Sequence, residues 1–415
     1  MKKLIKFICA AIAATFALAS AQATTYRLRE GSNAESPYSF SDSNNWTVDD
    51  RPASTYPQSG DTIWLGIYSS SHQGYISLAG NYTVSDFTYQ YNRLYLYRDS
   101  SASDQVSLTF TGTVGGSAYQ HYYIYDGAKF IAGAQSSLKG ALWDDNPSVF
   151  GIYNGGEVDV FGTIQSRHTT YNIEAGATLV FSPSTYQNFT SSSVNGNAGD
   201  VFNVTGGNVN FSNGLTVTGG NSAYANAINQ SGGTITFGGN FTSAATDWTY
   251  TFSGGTLAIT ENATFGSNIA LTIPASASVA LDVASGKTFS AANFTADSTA
   301  TIAKTGAGIF AYAPTAVAIA VNEGGIGFAS ASTYDLSRVS FAANTTIALN
   351  SLGATVSATS ATIDNAVFTA NLSGATAGTV VLNSSDSGLL AKAKTDLAKS
   401  VSEGFEQIGR ASCRE

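Results

Sequence analysis

The chain has 415 residues, 43% of them hydrophobic and only 11% charged, with 28 Asp and Glu against 19 Lys and Arg for a net charge of −9. Ordinary globular domains carry about 25% charged residues, so neutral polar groups must wet this surface, and 42 Gly against 7 Pro mark it as rich in tight corners. An acidic, lysine-poor chain lacks the electrostatic footprint of a nucleic-acid binder; 12% aromatic residues exclude a disordered tail, and two cysteines exclude a disulfide framework.

Residues 1–23 read as a secretory signal. Lys2, Lys3 and Lys6 form the basic region, residues 4–18 are mostly apolar, and Ala21, Gln22 and Ala23 supply a small-x-small cleavage site with Thr24 as the expected mature start. The apolar run is shorter than the roughly 20 residues a membrane-spanning helix needs.

Residues 24–120 hold Trp46, Trp64 and a dense tyrosine set, with strands legible at 82–87, 94–97 and 106–110. Strand alternation puts Leu94 and Leu96 on one face and Tyr95 and Tyr97 on the other. If the leucines face a core, Tyr95 and Tyr97 are exposed. They are then candidate ligand-contact aromatics, since tyrosine combines a flat apolar ring with a polar tip.

Residues 121–385 carry the strongest internal signal, a glycine-containing turn followed by alternating apolar residues. Its first glycines are Gly127, Gly155, Gly176, Gly206, Gly232 and Gly254, at intervals of 28, 21, 30, 26 and 22 residues. A turn-plus-strand unit at that spacing signals a solenoid, in which each coil buries its apolar side only against its neighbours. Val158 and Val160, Leu179 and Phe181, Val209 and Phe211, Ile235 and Phe237, and Leu257 and Ile259 are expected to point inward. A sandwich or barrel would also alternate, but would favour evenly spaced Asn-Gly or Asp-Gly hairpins. The segment 24–120 is then an atypical N-terminal cap plus the first coils, because an open coil end exposes backbone and core.

Asn44, Asn45 and Trp46, then Pro57, then Gly60, Asp61 and Thr62, followed by residues 84–87 (Val-Ser-Asp-Phe) and the Gly-Gly-Thr strand ladder, give a pattern that resembles secreted bacterial β-helix proteins of the autotransporter-passenger-like kind. The resemblance covers roughly residues 40–385. It implies an exported right-handed parallel β-helix serving as an adhesin, stalk or matrix component on a Gram-negative-type bacterium. It also implies attachment to the outer membrane through a C-terminal part missing from this chain.

From Ala275 to Ser384 glycine thins and strands read at 278–283, 327–329 and 379–382. Residues 386–407 turn helical in composition, as a linker or a short helix docked on the last coil, with Ser387 as the expected cap. Residues 408–415 (Ile-Gly-Arg-Ala-Ser-Cys-Arg-Glu) translate a common sequencing adapter in frame and are read as artefact, so the authentic chain is expected to continue past Gln407. Without both ends, 14 basic and 27 acidic residues remain and no cysteine, since Cys9 and Cys413 fall in the excluded segments.

His72, His121 and His168 have no partner at metal-ligand spacing, and no nucleophile elbow, phosphate loop or calcium-binding repeat occurs. No cofactor is expected. The sharpest enzymatic reading is a β-helix polysaccharide lyase or glycoside hydrolase using Lys139, Asp144, Asp145, Arg167 and His168 on two successive coils. Against it, no Lys or Arg occurs between Arg167 and Lys287, and adjacent aspartates are ordinarily a solvated loop. The sequence therefore favours a non-catalytic, all-β solenoid with a structural or adhesive role. Its expected partners are surface glycans or other cell-surface proteins, and nucleic acid is not among them.

Overall fold

The computed structural model describes residues 23–65, 73–89, 93–115, 121–125, 127–139, 148–166, 168–183, 185–188, 199–219, 226–244, 247–312, 317–358, 360–370, 380–402 and 412–414. The expected signal (to residue 22) and most of the expected adapter tail lie outside the described residues. The chain is a parallel β-solenoid of about 11 turns closed by a short helix. Up to Trp248–Phe252 each full coil contributes three strands in a repeating order, for example Val106–Phe110, Thr113–Val114 and His121–Ile124, before Ala128–Ala132 begins the next; in the two coils after that the second and third run together as Ala263–Ile273 and Thr288–Ala296. Successive coils pair in parallel and in register, so one chain builds three strand ladders.

The glycine intervals are the register. Phe130 pairs with Val158, Val158 with Leu179, Leu179 with Val209, Val209 with Ile235, and Ile235 with Leu257. The ten residues expected to point inward are all buried. Their columns stack like on like: Phe181 lies 5.7 Å from Phe211 and Phe211 lies 4.8 Å from Phe237, ring on ring. Period-two alternation thus becomes a continuous interior without any coil having a core of its own.

Differences in coil length are absorbed at one corner, between the second and third strand of each coil. Two residues separate Ser166 from Thr169, whereas twelve separate Asn188 from Val201, which accounts for the whole difference between the 21- and 30-residue coils. The opposite corner is the constant glycine turn. There Gly233 and Gly255 have φ of +65° and +85° and lie against the backbone of the coil before.

At the N-terminal end, Thr25–Leu28 pairs in parallel with Thr62–Leu65 but antiparallel with Trp46–Val48, which in turn pairs antiparallel with Arg51–Pro52. A short outer strand containing Pro52 cannot template another chain efficiently, as an open parallel edge would. Trp46 is fully buried under this hairpin, donates its indole N–H to the Phe40 carbonyl at 2.8 Å and meets Phe40 edge-on at 5.4 Å. At the other end the helix Ser387–Ser402 buries Leu389, Leu390, Ala393 and Leu397 against the strand Ala366–Ala370. The expected Ser387 cap is corrected by one residue. Asp386 accepts the Leu389 N–H at 2.8 Å, because a carboxylate just ahead of the first turn satisfies its unpaired donors.

Candidate functional site

Three consecutive third-position strands, Gln73–Leu78, Arg93–Arg98 and His121–Ile124, alternate with their leucines and isoleucines buried. Their outward positions are therefore fixed by the core. Leu94 and Leu96 are fully buried, as the alternation requires, and Tyr95 and Tyr97 face outward.

Register turns these outward tyrosines into two ladders. Tyr75 lies 4.2 Å from Tyr95, with planes 9° apart, and Tyr95 lies 4.7 Å from Tyr123. Alongside, Tyr97 lies 5.0 Å from Tyr125 and Tyr125 lies 4.4 Å from Tyr153, with planes within 7°. The sequence expectation of exposed flat faces is corrected here. All six tyrosines are half-buried, because in-register strands one strand-spacing apart press each ring onto the next. Ring edges and hydroxyls, not ring faces, are what these ladders offer.

The first ladder continues as a polar column. Tyr123 pairs with Gly151, whose missing side chain leaves room for the rings of Tyr123 and Tyr153; a Cβ there would come within 2.9 Å of both. Gly151 pairs with Asn172, followed by Asn203 and Asn229, and these amides bond head to tail at 2.9 and 3.0 Å. Thr251, Thr272 and Thr295 complete the column, with a 3.1 Å contact between the last two hydroxyls.

Burial, chiefly, and the neighbouring phenols hold five of these tyrosines protonated. Tyr97 is pushed up to about 12 by burial, then by Tyr75 and Tyr95, and burial likewise raises Tyr75, Tyr123, Tyr125 and Tyr153. His121 stacks near Tyr123 at 6.1 Å and is lowered to about 4 by burial and the Arg93 charge. At neutral pH the aromatic patch therefore presents neutral donors and acceptors.

The enzymatic constellation is not brought together by anything described. Asp144, Asp145 and Arg167 lie outside the described residues. Lys139 ends a strand at Ser137–Lys139, and His168 sits at a corner with φ of +54°, its carbonyl accepting the Ser148 N–H. Carboxylates and a lysine do meet elsewhere: Lys129 contacts Glu157 at 2.8 Å and Asp159 at 2.6 Å. Burial pushes the Asp159 carboxyl up against the pull of Lys129, while bonds from Lys129 and Gln105 outweigh burial and lower Glu157. Asp159 is 5% exposed and Lys129 and Glu157 are partly buried, so this trio ties two successive coils together. The glycine register predicts it, since Lys129 and Glu157 each follow a corner glycine by two residues.

Inside the solenoid a second polar group stands out. Asp200 is fully buried and accepts the Thr169 N–H at 2.7 Å and the Ser166 hydroxyl at 2.8 Å, and its own N–H donates to Asn226. Burial raises its carboxyl to about 6. Among the described residues, no group of three or more His, Cys, Asp or Glu could hold a metal ion. Comparisons with protein-family models, curated proteins and solved structures found no match for this chain.

Proposed function

We propose that this chain is a non-catalytic, exported solenoid that acts as a structural or adhesive element at a bacterial surface and touches its partner through the tyrosine ladders. The observation that carries this reading is the in-register placement of six tyrosines on one outward face. Nothing in the fold requires aromatics there, since alternation demands only that the inward positions be apolar. The N-terminal signal pattern and the resemblance to autotransporter-passenger-like β-helix proteins support export. The same resemblance supports anchoring at the outer membrane through a further C-terminal part. The variable corner beside the face, where coil insertions collect, suits a binding edge, because loops on a rigid scaffold tolerate change most readily.

The Tyr95→Ala and Tyr97→Ala variants test this on a glycan array and on immobilised cell surfaces. Each is expected to weaken binding by about tenfold, equivalent to one lost aromatic contact, with the far-ultraviolet spectrum unchanged. Binding indifferent to both substitutions would contradict the reading.

A further inference from the structure

We infer that the outward column beginning at Tyr75 is a track for a neutral linear polysaccharide lying along the solenoid axis. This inference rests on the tyrosine-face reading and names its ligand class. Ten successive register positions, from Tyr75 to Thr295, carry no charged residue, and nine of them carry a hydroxyl or carboxamide. The column is straight because it follows the register, and nine steps of about 4.8 Å make it roughly 43 Å long.

Chemical complementarity selects the occupant. Tyrosine hydroxyls, asparagine amides and threonine hydroxyls each donate and accept. The ladder bonds between Asn172, Asn203 and Asn229 use one N–H of each donor amide, which leaves the other directed sideways. A repeating row of neutral donors and acceptors matches a repeating row of sugar hydroxyls. It offers an anionic polymer no compensating cation at any position of the column, where Arg93 stands only to one side. Edge-on rings fit the same picture, since they present hydroxyls rather than stacking platforms.

Affinity electrophoresis of the full chain tests this, with hydroxyethyl cellulose and galactomannan as neutral probes and polygalacturonate and dextran sulfate as acidic ones. Retardation by a neutral polymer, insensitive to added salt, is expected. Asn203→Asp should weaken it by about tenfold by placing a charge in the track, whereas Asn203→Thr should retain most of it. Thermal melts of both variants distinguish lost binding from lost fold, and Thr272→Asp repeats the test at a position outside the amide ladder. Retardation confined to acidic polymers and abolished by salt would overturn the inference. So would neutral-polymer binding unchanged by Asn203→Asp and Thr272→Asp. If no polymer binds while Tyr95→Ala still weakens surface attachment, this inference fails and the tyrosine-face reading stands.

Discussion

Replacing Gly233 by alanine is expected to destabilise the central coils by about 4 kcal/mol, at the upper end of single-substitution effects. Two causes act together. The φ of +65° places a Cβ in the left-handed region, which costs an L-residue about 1–2 kcal/mol. That Cβ would also overlap the Gly207 carbonyl oxygen of the preceding coil, and backbone cannot move aside as a side chain can. Gly255 stands in the same relation to the Gly233 carbonyl, so the corner is a column of close backbone approaches. Gly286 provides the control. Its φ is +72°, yet a Cβ there would meet nothing within 4 Å, so Gly286→Ala should cost only the conformational 1–2 kcal/mol. Amide exchange in Asn208–Phe211 and Thr234–Phe237 reads the local effect, which suits a repeat array better than a single global transition. Equal losses in the two variants would show that the coils do not touch at this corner.

The second large effect is electrostatic. Burial raises the Asp200 carboxyl from 3.8 to about 6, so the folded chain binds this proton more tightly than the unfolded chain. The resulting stability is fully present below about pH 4 and is lost as pH rises through about 6. The loss is on the order of 3 kcal/mol. Among the described residues, the titratable groups that act on Asp200 are Tyr171 and Tyr186, both held protonated by burial. Asp200→Asn should therefore raise the urea midpoint at pH 7.5, leave it near the parent value at pH 4, and flatten the slope between. Its carboxamide oxygen can still accept from Thr169 and Ser166. A slope unchanged by Asp200→Asn, or a variant less stable than the parent at pH 7.5, would place the titration elsewhere.

Much of the fold was legible because the glycine corner and the alternating apolar residues repeat in one local pattern. Those intervals of 21 to 30 residues are the observed register offsets, and Val106–Phe110 and Ser278–Val283 are strands at the expected bounds. The tyrosine ladders were half legible. Alternation put Tyr95 outward, but its stacking on Tyr75 and Tyr123 depends on register carried across corners of unequal length. A reading of single strands does not supply that. Lys304 escaped for a different reason. It occupies an inward position between Leu281 and Val321, and its ammonium reaches back to the Thr305 and Gly306 carbonyls at 2.6 and 2.7 Å. A lysine in an alternating strand reads as solvent-facing until the corner carbonyls that receive it are located. Of the catalytic constellation only Lys139 and His168 fall among the described residues; the ion cluster that the described residues do form, at Lys129, Glu157 and Asp159, lies on the first strand of its coils.

The outward columns exist only if each coil advances the chain by one strand spacing. Spin labels test that step directly in a chain whose Cys9 and Cys413 are replaced by serine. Thr170, Val201, Ala227, Thr249 and Ala270 occupy successive register positions in one outward column. With one label at Thr170 and the second moved along the column, the distance should grow steadily by about 4.8 Å per coil, reaching about 19 Å at Ala270. Distances that fail to increase with coil number, or that alternate between short and long, would contradict the solenoid and the continuous face built on it.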